Sequence, residues 1–284
     1  MARCGPGAPM ASASVGDGTT RSRTTPAQVA GLHDVVAIGS GGYHALAVRS
    51  DGSVWTWGYN AFGQLGDGTA ESRFLPIRVE GLSSVTAVAG GDHHSLALLA
   101  DGTLAAWGNN ASGQLGDGTG TTRYSRVWVK GVDGVVEVRA GAAHTLALRG
   151  DGTVWTWGDN TFSQLGDGSD GTRARIVPRP VQGLSGVTTI GAGARHSFAV
   201  GSKGTVWTWG RNSHGQLGLG DNANRASPLL VKELAEVIVV SGGADFSLAM
   251  QRDGTVSSWG SSLHGTLGLG TAGQRSSPGQ VALP

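Results

Sequence analysis

Residues 144–158 read HTLALRGDGTVWTWG, and close variants of this stretch recur along the whole chain. Its first part alternates large and small apolar side chains, which predicts a β-strand with both faces covered. Asp151-Gly152 then predicts a tight hairpin turn, because glycine adopts positive φ without steric cost. Val154–Trp157 supplies β-branched and aromatic residues, which favour a second strand. The stretch therefore predicts a β-hairpin.

The hairpin occurs five times in the 284 residues, and its Trp-Gly dipeptide recurs at spacings of 50, 50, 52 and 50 residues. A histidine lies thirteen residues before four of the five tryptophans, and Phe246 takes this place in the fifth copy. The repeated residues are Trp57, Trp107, Trp157, Trp209 and Trp259, preceded by His44, His94, His144 and His196.

Two further segments complete each repeat. A run such as Val85–Gly91 precedes the hairpin, and a Pro-x-x-Val segment such as Pro76–Val79 follows the loop GQLGDGT. Proline suits an edge strand because it donates no backbone hydrogen bond. Four short strands per unit, apolar on both faces, predict an all-β fold, a β-propeller of about five four-stranded repeats of 50 residues.

The repeat register also divides the chain. It predicts a disordered N-terminal segment at 1–13 and a single propeller domain at 14–284, with a partial repeat at 14–34 and full repeats at 35–84, 85–134, 135–186, 187–236 and 237–284. Five blades either close into a ring or form an arc of a larger ring. We expect five complete blades, with the Pro26 strand pairing near Pro278 to close or nearly close the ring.

The segments GGYHALAV, DGTVWTWG and WGYNAFGQLGDGT, followed by Pro-x-x-Val, resemble the regulator of chromosome condensation repeat family over residues 14–284. The resemblance implies a propeller, usually of seven blades. The resemblance implies functions such as nucleotide exchange on small GTPases or a role as a module within a ubiquitin ligase. Exchange factors of the family add a protruding β-wedge, whereas the length of the repeat changes here by only two residues, near 172–178.

We therefore expect a non-enzymatic scaffold that binds a protein partner through its loops. The alternative is a guanine-nucleotide exchange factor for a small GTPase, which would make that GTPase the partner. No nucleophile, base and acid occur in a recognisable catalytic pattern, so no catalytic residue is predicted.

Composition narrows the choice of partners and location. A net charge of +1 with 14% charged residues lacks the basic character of a general nucleic-acid binder. The single cysteine, Cys4, allows neither an internal disulfide nor a thiolate metal site. No apolar run approaches the roughly 18 residues of a membrane span, so no membrane association is expected. Without a visible signal peptide we expect a cytoplasmic location by default, while export of a form with a longer N-terminus stays open.

The repeated polar residues have a structural and a functional interpretation. The four histidines would form a metal-binding ring only at the propeller axis, and Phe246 favours a structural role because an apolar ring binds no metal. Each GDG loop offers one aspartate (Asp17, Asp67, Asp117 or Asp167), whereas calcium needs six to eight oxygens. We interpret these aspartates as turn residues and predict neither a metal site nor a cofactor.

An arginine lies six residues beyond the aspartate position in all six copies, at Arg23, Arg73, Arg123, Arg173, Arg225 and Arg275. Each guanidinium could hold its own loop through backbone carbonyls, or the six could form an electropositive ring for an acidic partner. Strict repetition favours the structural role. Arg175 and Arg179 lie near Arg173 in the one expanded loop, so these three arginines are the predicted partner-binding residues.

Overall fold

The computed structural model describes residues 15–21, 23–171, 173–270 and 273–281. These residues form twenty β-strands in five four-stranded sheets and one short 3-10 helix at Leu263–Gly265. The all-β propeller of four-stranded repeats predicted from the sequence is confirmed. The segment 1–13, predicted to be disordered, lies outside the described residues.

Each sheet is one blade, built from four strands that are consecutive in the chain. Blade one contains β1 (Val35–Ser40), β2 (His44–Arg49), β3 (Val54–Gly58) and β4 (Arg73–Arg78). Blade two contains β5 (Val85–Gly90), β6 (His94–Leu99), β7 (Leu104–Gly108) and β8 (Arg123–Trp128). Blade three contains β9 (Val135–Ala140), β10 (His144–Arg149), β11 (Val154–Gly158) and β12 (Arg175–Pro180). Blade four contains β13 (Val187–Ala192), β14 (His196–Gly201), β15 (Val206–Gly210) and β16 (Arg225–Leu230). Blade five contains β17 (Val237–Gly242), β18 (Phe246–Gln251), β19 (Val256–Ser261) and β20 (Gln274–Gln280).

The hairpin at 144–158 forms as the sequence predicts. Strands β10 and β11 pair antiparallel from His144 opposite Gly158 to Leu148 opposite Val154. In the turn, the carboxylate of Asp151 accepts a hydrogen bond from the backbone N–H of Thr153 at 3.0 Å, and Gly152 has φ of 79°. The aspartate and the glycine therefore fix the turn for different reasons, a side-chain hydrogen bond and freedom at positive φ.

Apolar side chains fill the space between neighbouring blades. Between blades three and four, one continuous cluster contains Leu146, Leu148, Val154, Val187, Ile190 and Trp209. Burial of a large apolar side chain contributes about 1.5–3 kcal/mol, so every blade depends on its neighbours for stability.

In blades one and five, the face that would pack against a further blade is exposed to solvent. Ile38 in blade one is 78% exposed, whereas the equivalent Ile190 in blade four is 0% exposed. At the other end Met250 is 37% exposed, whereas the equivalent Val200 is 1% exposed. The five blades therefore form an arc whose terminal faces do not cover each other.

The expectation that a Pro26 strand helps to close the ring is wrong. Residues 26–29 form no strand, and the outer strand of blade five is β20, which pairs with β19. The position next to β19 is therefore filled by β20 and not by the N-terminal segment. Residues 15–18 lie against blade one instead, where the N–H of Gly18 donates to the carbonyl of Phe74 at 3.0 Å.

Candidate functional site

The repeated histidines take part in hydrogen bonds between blades. The carbonyl oxygen of Gln164 in blade three accepts hydrogen bonds from Ser197 Oγ at 2.8 Å and Trp209 Nε1 at 2.9 Å, both in blade four. The Ser197 hydroxyl donates its only hydrogen there, so it accepts a hydrogen bond from Nε2 of His144 at 3.0 Å. Each histidine therefore links its blade to the next one.

The same arrangement joins the other neighbouring blades. The remaining histidines are His44, His94 and His196, their hydroxyl partners are Ser95, Thr145 and Ser247, and the carbonyls belong to Gln64, Gln114 and Gln216. Ala45 replaces the hydroxyl residue in the first blade, and Phe246 replaces the histidine in the last. These two substitutions fall on the terminal faces, where none of the five described blades supplies the other half of the hydrogen bond.

Burial keeps these histidines neutral. Loss of hydration lowers the pKa of His144 to about 4, although the nearby Asp159 charge opposes the change. The same cause lowers the pKa of His94 and of His196 to about 3. Among the residues that the structure describes, no three His, Cys, Asp or Glu side chains are grouped to hold a metal ion. Neutral histidines engaged between blades are poorly placed for proton transfer to a substrate.

The repeated arginines hold their loops through a carboxylate more often than through carbonyls. In blade two, Asp117 binds the guanidinium of Arg123 at 2.8 Å and accepts hydrogen bonds from Thr119 and Asn110. Burial by itself raises the pKa of Asp117, but the hydrogen bonds from Thr119 and Arg123 outweigh it and the pKa is lowered. The equivalent pairs are Asp17–Arg23, Asp67–Arg73 and Asp167–Arg175. In blade four Leu219 takes the aspartate position, and Asp221, two residues further on, pairs with Arg225.

Two details of the predicted arginine pattern are corrected. In blade three the partner of Asp167 is Arg175, because the two extra residues of this loop move Arg173 away from the start of the outer strand. The predicted carbonyl contacts occur at Arg225, which also donates to Ala223 O, and at Arg275, which donates to Ser277 O. The other pairs use the aspartate.

The three arginines predicted to bind a partner therefore differ in their surroundings. The guanidinium of Arg175 is engaged by Asp167 within its own loop. Arg173 and Arg179 are exposed. A partner contact at Arg173 and Arg179 stays a prediction.

A different surface collects the side chains that change from repeat to repeat. It combines the residue before each repeated histidine, the residue after each Trp-Gly and the residue two before each repeated glutamine. The first two positions meet because, for example, the N–H of Tyr59 donates to the carbonyl of Tyr43 at 2.9 Å. We call this surface the variable face, and its residues in blades one to four are Tyr43, Tyr59, Phe62, His93, Asn109, Ser112, Ala143, Asp159, Phe162, Arg195, Arg211 and His214, with Asp245 and Ser261 in blade five.

An aromatic cluster occupies one part of the variable face, across blades one and two. The ring of Phe62 lies 4.7 Å from that of His93, which in turn stacks on Tyr43 at 6.1 Å with an interplanar angle of 15°. Tyr59 contacts Tyr43 edge to face at 6.2 Å. Tyr43 is 50% exposed, so the cluster presents an aromatic surface to solvent.

A second cluster, across blades three to five, combines an aromatic ring with charges. The guanidinium carbons of Arg195 and Arg211 lie 5.0 and 5.2 Å from the centre of the Phe162 ring. Arg211 also forms an ion pair with Asp245 at 3.0 Å. At equivalent places between blades, the scaffold therefore presents an aromatic–imidazole pair, Phe62–His93, and an aromatic–guanidinium pair, Phe162–Arg195.

Sequence reasoning missed the variable face because it followed the positions that stay constant. Tyr43, His93 and Arg195 each come directly before a repeated histidine, yet their own identities differ in charge and size. A position that varies beside a constant one was the available signal, and the clearest case is the residue between the constant Gly and Asn after each Trp, which is Tyr59, Asn109, Asp159 or Arg211. On a rigid repeat scaffold such positions are the ones free to carry specificity.

The family comparison agrees with the fold. The model of the regulator of chromosome condensation (RCC1) repeat matches residues 51–98, 101–148, 151–200 and 203–250, and a second model of the same repeat matches 35–64, 85–114, 135–164 and 187–216. The chain belongs to the RCC1 repeat family.

Among solved structures, human WBSCR16 is similar with a TM-score of 0.79 and 26% identity, over 88% of this chain and 67% of that one. Yeast RCC1 (Prp20), solved bound to Kap60, is similar with a TM-score of 0.71 and 20% identity, over 88% of this chain and 75% of that one, which shows the shared fold.

The curated relatives match over about one repeat. The probable E3 ubiquitin-protein ligase HERC3 of Homo sapiens is 45% identical over 53 residues, which are 18% of this chain and 5% of that protein. The ultraviolet-B receptor UVR8 of Arabidopsis thaliana is 36% identical over 56 residues, 19% of this chain and 13% of that protein. The chain thus spans a small part of the length of these relatives. No helix among the described residues is long and apolar enough to span a bilayer.

Proposed function

We propose that this chain is a non-enzymatic β-propeller scaffold that binds a protein partner through the variable face. One observation carries the proposal: side chains that break the repeat lie together on one surface, next to positions that keep it. Residues such as Tyr43, Phe162 and Arg195 belong to the types that dominate binding energy at protein interfaces. Packing does not require this variety, since other blades have Ala143 or Ser112 at equivalent positions.

The histidines support a non-enzymatic role. They are the most obvious candidates for proton transfer, but each is buried between blades with a strongly lowered pKa. A general base works best with a pKa near the working pH and within reach of a substrate. The structural role of the four histidines leaves neither condition fulfilled.

Affinity capture tests the proposal. Immobilised protein is incubated with lysate of the source cells, and retained proteins are compared between the wild type and a Tyr43→Ser, Phe62→Ala variant. The matched control is Tyr124→Ser, which removes a tyrosine of comparable exposure (42%, against 50% for Tyr43) from the outer strand β8. We expect the variant to lose a retained protein that the control keeps. Equal retention by all three proteins would refute the assignment of this face.

Guanine-nucleotide exchange on a small GTPase is the alternative function. The similarity that favours it is to Prp20p from Saccharomyces cerevisiae, which was studied with its binding to Gsp1p and histones, and it rests on 21% identity and a TM-score of 0.70. A panel of small GTPases loaded with labelled nucleotide tests it directly. Accelerated nucleotide release from one member would replace the scaffold proposal with exchange activity.

A further inference from the structure

Two arginines of the variable face share one aromatic ring but differ in their charge partners. Arg211 is neutralised by Asp245, and both side chains are largely buried, at 20% and 30% exposure. Arg195 is exposed and, among the residues that the structure describes, forms no hydrogen bond or ion pair through its guanidinium. The Phe162 ring holds that guanidinium in place by a cation–π contact, so its N–H donors remain free.

The neighbouring carboxylates are already engaged. Asp159 accepts hydrogen bonds from Thr161 Oγ1 at 2.6 Å and from Gln164 Nε2 at 2.7 Å. Asp245 accepts them from Arg211 and, at 3.2 Å, from Gln216 Nε2. The variable face therefore offers one unpaired, pre-positioned guanidinium beside an apolar ring.

Resting on the proposed function, we infer that the variable face binds a protein segment in which an aspartate or glutamate lies beside a large apolar residue. The carboxylate binds Arg195, because a planar guanidinium matches a carboxylate with two parallel hydrogen bonds. The apolar side chain packs on Phe162.

The rest of the face orients the segment. The acidic residue of the partner lies at blade four, where the guanidinium of Arg195 has no charge partner among the described residues. Between the two clusters the equivalent positions hold Ser112 and Ala143, whose small side chains leave room for the segment to continue toward Tyr43 and Phe62. The inferred ligand is thus an acidic–apolar peptide that runs across the blades.

Selection from a displayed library of random 12-residue peptides tests this inference. The wild-type protein and an Arg195→Glu variant are used as targets, with Arg78→Glu as the matched control for an exposed arginine on β4. We expect wild type and control to enrich peptides with Asp or Glu next to Leu, Phe, Tyr or Trp. For a selected peptide, Arg195→Glu should weaken binding roughly 10- to 100-fold, the value of a charge-assisted hydrogen bond. Raised salt should weaken wild-type binding as well.

The outcomes separate the inference from the proposed function. The acidic-segment inference would be overturned by enriched peptides without an acidic residue or by unchanged binding of the Arg195→Glu variant. It would also be overturned if the RNA poly(U), added as a competitor, displaced the bound peptide and an excess of peptide did not restore binding. If lysate capture still depends on Tyr43 and Phe62 in that case, the scaffold proposal stands alone. Loss of binding in the Arg78→Glu control would also overturn the acidic-segment inference, because charge reversal away from the variable face would then be enough to weaken binding. Circular dichroism confirms that each variant is folded.

Discussion

The carboxylate of Asp167 binds the guanidinium of Arg175 at 2.6 Å across the loop that joins β11 to β12. The side chains are only 10% and 21% exposed, and Ser169 and Asn160 also donate to the same carboxylate. The pair thus closes the loop against its own blade. Arg173, two residues earlier, is exposed and takes no part.

We predict that Arg175→Ala lowers the free energy of unfolding by about 1–2 kcal/mol, because it removes a charge-assisted hydrogen bond from a mostly buried carboxylate. Arg173→Ala should change it by less than about 0.5 kcal/mol, as surface substitutions usually do. Urea unfolding followed by tryptophan fluorescence measures both. A larger effect at Arg173 would show that the loop uses the repeat register after all.

The inter-blade histidines make stability depend on pH. The pKa of His144 is lowered by burial to about 4 in the folded chain and is near 6.5 in the unfolded chain, so the unfolded state binds more protons between these values. Stability should therefore be full above pH 6.5 and fall as the pH drops toward 4. Replacement of His144 by Phe, the residue found at 246, should reduce the slope by up to about 1.4 kcal/mol per pH unit.

Unfolding at several pH values between 4.5 and 7 measures that slope. The control is His33→Phe, since His33 is exposed and its replacement leaves the inter-blade hydrogen bonds intact. Identical slopes for wild type and His144→Phe would mean that the buried histidine is not the titrating group.

Gly66 is required by both its backbone and its surroundings. It has φ of +73°, and a Cβ at this position would lie 2.9 Å from Cδ1 of Trp107 in the next blade. Gly131 has a similar φ of +78°, but a Cβ there would meet nothing within 4 Å. We expect Gly131→Ala to cost about 1–2 kcal/mol for the left-handed backbone alone. Gly66→Ala should cost about 1–3 kcal/mol more through overpacking, and equal losses would disprove the steric argument.

The exposure of the terminal face predicts unequal effects of two isoleucine truncations. Ile190→Ala should cost about 2–5 kcal/mol because it opens a cavity between blades three and four. Ile38→Ala should cost less than about 1 kcal/mol, since that side chain is 78% exposed in blade one. Similar losses at both sites would show that something covers the terminal face of blade one in solution.

The fold was predictable because each blade repeats the same short sequence patterns. The Asp151-Gly152 turn, the strand at Val154–Trp157 and the alternating strand before them each specify their structure locally. The prediction that failed concerned a pairing between segments far apart in the chain. The pairing of Pro26 with the last blade depended on whether another segment filled that edge, and β20 does so.

The candidate site was less predictable than the fold. The repeated residues His144 and Asp167 are the most conspicuous in the sequence, but their roles are structural. The two extra residues in the loop of blade three make Arg175, instead of Arg173, the partner of Asp167. The cluster of Phe162, Arg211 and Asp245 joins residues from three blades, and its contacts depend on blade geometry that no local pattern contains.

The most direct test of the central claim is hydrogen–deuterium exchange of the chain with and without the partner retained in affinity capture. We predict slower exchange in peptides that cover 41–44, 59–62 and 193–196, with little change in the outer strands β4, β8 and β16. Protection confined to 173–179 or to the outer strands would contradict the assignment of the variable face as the binding surface.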